Sequence, residues 1–161
     1  MPSNISPSPS GMDSTQNTTT PCDVAMLNRI YRDARIGAET ISSLLPHSNS
    51  PAMSASMIRQ MYRYRGFAHL AKEQLRSKGA VPRRASPLSR ASIRFGVATH
   101  TLFDNSNSHI AELLINGSTM GIIDMTKAVR SIPSNQQPRA LGKELLQFEQ
   151  NSIEHMKRYL H

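Results

Sequence analysis

Four stretches of this chain place apolar or small residues at alternating steps of three and four, the spacing that gathers them on one face of a helix with about 3.6 residues per turn. The cleanest is Met57, Met61, Tyr64, Ala68, Ala71 and Leu75. A stripe of that length predicts an amphipathic helix over 52–78. Gly79 offers a left-handed cap position and Pro82 prevents continuation, so the helix is expected to stop there.

The other three stripes predict helices over 25–45, 108–131 and 138–160. The first runs Leu27, Ile30, Ala34, Gly37 or Ala38, Ile41 and Leu45, and Pro46 ends it. The next is Ile110, Leu114, Gly117, Gly121, Met125 and Ala128, with Asn107 or Ser108 as its expected N-cap. The last is Leu141, Leu145, Phe148, Ser152, Met156 and Tyr159, opening on Pro138, whose missing amide costs nothing in a first turn. Residues 91–103 fit a short helix through Ala91, Phe95, Ala98 and Leu102, or strand alternation through Ile93, Phe95 and Val97. With helices on either side, the short helix is the expectation.

Loop length selects the topology. The segments 46–51 and 133–137 are short turns, which favour antiparallel neighbours. About 29 residues separate the second long helix from the third, enough to return along a helix of roughly 40 Å. Two antiparallel hairpins joined by one long crossover make the ferritin-like four-helix bundle, so an all-α fold of that kind is expected for 25–161. Residues 1–24 are rich in Ser, Thr, Asn and Pro with few apolar residues, a composition that cannot offset ordering entropy by burial, and are expected to form a disordered tail.

That stretch lacks the basic start and apolar run of a secretory signal, and no segment approaches the roughly 20 apolar residues of a membrane span. A cytoplasmic protein is expected. Cys22 is the single cysteine, which fits a reducing compartment and leaves no partner for an intramolecular disulfide. The formal net charge is +8 and is unevenly spread. Residues 25–95 hold thirteen Lys or Arg against Asp33, Glu39 and Glu73, whereas six basic and six acidic residues cancel over 96–161. The excess centres on Arg59, Arg63, Arg65, Arg76, Arg83 and Arg84, a basic patch that suits an acidic protein partner, nucleic acid or an anionic surface.

The segment SHIAELL followed by INGSTMGIIDMTK, over 108–127, resembles a small uncharacterised bacterial family with a ferritin-like bundle. The likeness continues in NRIYRDARIGAETI over 28–41 and in LLQFEQNSIEHMKRYL over 145–160. The resemblance implies the bundle fold and acidic first and second helices, yet here four arginines occupy the second. The metal proteins of that fold place a Glu on each of two helices and Glu-x-x-His on the other two, all pointing inward.

This chain departs from that demand. Glu39 falls about 120° off the first stripe, Glu73 about 200° off the second, and Ser152 stands where a ligand histidine belongs beside Glu149. Only Asp124 and Glu149 remain as metal candidates, too few to offset the charge of two ions. The sequence leaves open whether they share a pocket. Gly117 and Gly121 are expected to let a neighbouring helix approach closely, so that a leucine at Gly117 would overpack and cost ~1–3 kcal/mol.

No nucleophile elbow, phosphate loop or cysteine cluster stands in a suitable context. The resulting expectation is a non-enzymatic structural or interaction protein without a cofactor, forming homo-oligomers or binding an acidic protein. One alternative is a ferritin-like protein handling iron, manganese or oxidative stress at Asp124 and Glu149. The other is a binder of nucleic acid or anionic surfaces through its basic helix and linker.

Overall fold

The computed structural model describes residues 15–86 and 106–161. Four long helices make up the fold, and no strand occurs among the described residues. They are α1 (Thr15–Leu44), α2 (Pro51–Ser77), α3 (Asn107–Ser131) and α4 (Gln136–Met156). Short 3₁₀ turns, Leu45–His47 and Lys157–Tyr159, extend α1 and α4. The all-α bundle expected from the stripes is therefore present. The short helix expected over 91–103 lies outside the described residues, as does the tail up to residue 14.

Local chemistry sets the helix ends. Ser50 caps α2 by accepting a 3.3 Å bond from the Met53 amide, with Pro51 in the first helical position. At the other end Gly79 turns left-handed at φ +69°. The Ala80 amide then reaches the Leu75 carbonyl at 2.9 Å and the Gly79 amide reaches that of Arg76 at 2.9 Å, the paired closure of a Schellman cap. For α3 the cap is Ser106, whose hydroxyl accepts from the His109 amide at 3.2 Å, and neither Asn107 nor Ser108. The helix starts one residue earlier than expected because that serine is the last to hold an extended backbone.

The first helix corrects a larger expectation. Instead of starting near residue 25 behind a tail, α1 begins at Thr15 and runs through Pro21. The residue that anchors this end is polar. Asp23 is fully buried, and its carboxylate accepts 2.6 and 2.8 Å bonds from the main-chain and side-chain nitrogens of Asn135 and lies 2.9 Å from Lys78 Nζ. One carboxylate thus joins the first third of α1, the end of α2 and the start of α4. A search for apolar periodicity cannot see such an anchor.

These contacts fix the helix directions. Asp23 puts the beginnings of α1 and α4 beside the end of α2. At the opposite end Ser56, early in α2, meets His155 and Tyr159, late in the chain. Gly142, early in α4, faces Val129, late in α3. Hence α1 and α4 run one way, α2 and α3 the other, and α3 begins at the far end of the bundle from where α2 finishes.

The core follows the predicted stripes closely. All six stripe residues of α2 are buried, as are Ile110, Leu114, Met125 and Ala128 of α3. In α1 the last core position is Leu44, while Leu45 turns away into the 3₁₀ segment and is half-buried. Gly142 is the glycine that admits a close helix contact. A Cβ there would lie 3.2 Å from Val129 Cγ2 and 3.5 Å from the sulfurs of Met125 and Met26.

Candidate ligand cavity

A cavity of about 370 Å³ opens beside the core, and every long helix contributes to its wall. Asp33, Gly37 and Ile41 come from α1, four residues apart and so on one helix face. Gln60 and Tyr64 repeat that spacing on α2, and Gly117, Gly121 and Asp124 follow on α3. Glu149 is the contribution of α4. The remaining wall is mostly apolar, including Ile36, Leu114 and Met120. Among the described residues lining it there is no lysine or arginine.

Two glycines make room for the polar centre. An added Cβ at Gly37 would lie 2.6 Å from the Tyr64 ring, and one at Gly121 would lie 2.5 Å from Glu149 Oε1. Both distances are shorter than side chains tolerate, so the tyrosine and the carboxyl occupy space that any other residue would fill. Tyr64 donates its hydroxyl to Glu149 Oε1 at 3.3 Å, and its ring meets Phe148 edge-on at 4.8 Å. Glu149 is only 3% exposed, and its second oxygen has no hydrogen-bond partner among the described residues. Gln60 Nε2 is also buried without a partner among them.

Burial pushes the Glu149 carboxyl up to about 8, the charge of Asp33 adds to the effect, and the Tyr64 hydrogen bond works against it. The same desolvation, reinforced by Glu149, raises the Tyr64 phenol. Asp33 is raised by burial in spite of Arg29 beside it. Arg29 serves two acids, with Nε 2.8 Å from Asp33 Oδ2 and Nη2 2.8 Å from Asp124 Oδ2.

The structure thus brings Asp124 and Glu149 to one cavity, but in different states. Asp124 is half exposed and held by Arg29, whereas Glu149 is buried against a tyrosine. No group of three or more His, Cys, Asp or Glu able to hold a metal ion occurs among the described residues. The expected helix contact at Gly117 is wrong. That glycine is exposed at the cavity wall and a Cβ there meets nothing within 4 Å, because this turn of α3 borders empty space. Gly121 admits a side chain from α4, not the backbone of a neighbour.

No protein-family model matches this chain, and no curated protein or solved structure is significantly similar to it.

Sequence reasoning missed Asp33, Gln60, Gly37 and the pairing of Tyr64 with Glu149. The available signal was the four-residue step from Arg29 to Asp33 to Gly37, which puts a charged pair and a gap on one helix face. Outside the cavity, Ser56 Oγ lies 3.0 Å from His155 Nε2 and 3.3 Å from the Tyr159 hydroxyl, and donates to the Ala52 carbonyl at 3.1 Å. Burial and the nearby Arg158 and Arg59 charges keep His155 below its ordinary range.

All six arginines of the basic patch are exposed. Several are engaged with the protein itself. Arg63 lies over the Phe67 and Phe148 rings at 5.6 and 5.8 Å, Arg65 over Tyr62 at 5.7 Å, and Arg76 pairs with Glu73 at 3.3 Å. Arg59 donates to Ser56 Oγ at 3.0 Å, and the Arg83 amide donates to Asn28 Oδ1 at 2.7 Å. Among the described residues no helix is long and apolar enough to cross a membrane.

Proposed function

We propose that this chain is a non-enzymatic binding protein, a bundle of ferritin-like arrangement that holds a small, largely apolar ligand in the Glu149 cavity. The observation that carries this reading is a mostly apolar cavity lined by Glu149 and Gln60, each of which keeps a buried polar atom, Oε2 and Nε2, without a hydrogen-bond partner among the described residues. A buried polar atom left without a partner costs about 1–3 kcal/mol, which a bound molecule supplying that partner would recover. The volume of about 370 Å³ falls in the range of small-molecule sites. The directions of the four helices favour the ferritin-like topology.

Less supports the metal reading at Asp124 and Glu149. Arg29 already pairs with Asp124, and no group of three or more His, Cys, Asp or Glu able to hold a metal ion occurs among the described residues.

Gly117→Leu tests the reading, since open space at that position lets the new side chain enter the cavity without a clash. The neutral fluorophore N-phenyl-1-naphthylamine should bind the native protein saturably at one site. The variant should lose that binding while its melting temperature holds or rises, because glycine in a helix interior costs up to ~1 kcal/mol. Equal binding by the folded variant, or no saturable binding by the native protein, would overturn the proposal.

A further inference from the structure

The charged side chains that line the cavity, Asp33, Asp124 and Glu149, are all acidic. Asp33 and Asp124 both lean on the guanidinium of Arg29, each 2.8 Å from one of its nitrogens. The charge of Arg32 also acts on Asp33, which is largely shielded from water with 13% of its side chain exposed. Glu149 also lines the cavity, and one of its oxygens has no hydrogen-bond partner among the described residues. A low local dielectric strengthens the pull of such groups on a cation. It also makes a second anion costly unless the occupant offsets it.

Resting on the reading of this cavity as a binding site, we propose that its ligand is a protonated primary amine on an apolar body, with the ammonium bonded to the Glu149 carboxylate. The apolar body would lie along Ile36, Ile41, Leu114 and Met120, and Gln60 Nε2 would face any acceptor atom on the ligand. The chemistry balances without a further reactant. The empty site holds Glu149 as the acid, the incoming ammonium forms its ion pair with the carboxylate, and the displaced proton passes to the buffer. The groups that share the cavity with that carboxyl are Tyr64 and Gln60 from α2, Asp33 with its partner Arg29 from α1, and Asp124 from α3.

Calorimetric titration of the full chain with 4-phenylbutylamine, 4-phenylbutanol and 4-phenylbutyrate separates this inference from the reading beneath it. The amine should bind about tenfold tighter than the alcohol or better, the advantage of one charge-assisted hydrogen bond, and the carboxylate should bind weakest. Its affinity should rise with pH up to about 8, where Glu149 loses its proton unaided, and its heat should vary with the ionisation enthalpy of the buffer. The alcohol should show neither dependence. In Glu149→Gln, which replaces a neutral acid by a neutral amide, the preference for amine over alcohol should vanish.

Alcohol binding as tight as amine binding, a preference that survives Glu149→Gln, or a flat pH profile for the amine would overturn the ligand class while leaving the cavity reading intact. Should Glu149→Gln fail to fold, the pH profile and buffer dependence of the native protein decide the matter. Loss of all binding differences between the native protein and Gly117→Leu would remove the cavity reading itself.

Discussion

Glu149 concentrates the tension in this molecule. Folding buries an acid beside a phenol and leaves one of its oxygens unmatched, so its proton is held far above the carboxylate range, to about 8. The sign of the stability effect follows. Below the ordinary carboxyl value of 4.5 both folded and unfolded chains keep the proton and Glu149 costs nothing extra. Between that value and about 8 the unfolded chain ionises while the folded chain does not, so stability drains away as pH rises. Glu149→Gln removes the titration. Urea unfolding of the two proteins should show the variant gaining on the native chain by ~4 kcal/mol between pH 4.5 and 8. A difference that stays constant over that interval would contradict a buried, protonated Glu149.

At the scale of the helices, Asp23 behaves oppositely. Burial works against its ionisation, but the bonds from Asn135 and Lys78 prevail and hold the carboxyl below its usual range. Its contribution is therefore present at neutral pH and lost as pH falls through the acid range. Asp23→Ala should cost about 3–5 kcal/mol at pH 7, since Lys78 and the Asn135 amide lose their partner. The penalty should shrink toward pH 3 in thermal or urea unfolding, and an equal penalty at both values would refute the clamp. The same residue marks where the sequence stopped being legible. The α2 stripe, its Gly79 stop and the inward phase of Glu149 could be read because each depends on residues within a few turns of one helix. The start of α1 could not, because what secures it is a polar contact spanning 112 positions to Asn135. The cavity was hidden for a similar reason. Whether Gly117 borders a neighbour or a void, and whether Asp33 joins Glu149, depends on how four helices meet and not on the period of any one.

The bundle as a whole is held by polar contacts at both ends, Asp23 with Lys78 and Asn135 at one and Ser56 with His155 and Tyr159 at the other, while the middle is apolar and partly empty. At Gly142 three of its helices meet, with the sulfurs of Met26 and Met125 each 3.5 Å from where its Cβ would stand. Both methionines are fully buried. Peroxide converts a methionine thioether to a bulkier, polar sulfoxide, so these two sulfurs should react only when the helices part. Their oxidation in mild peroxide, followed by peptide mass spectrometry, should lag far behind that of Met120, which is 68% exposed. Their rate should quicken with sub-denaturing urea, while equal rates for all three would show that the centre is open to solvent. This junction of three helices thereby doubles as a chemical clock, recording in two sulfur atoms how often the protein breathes.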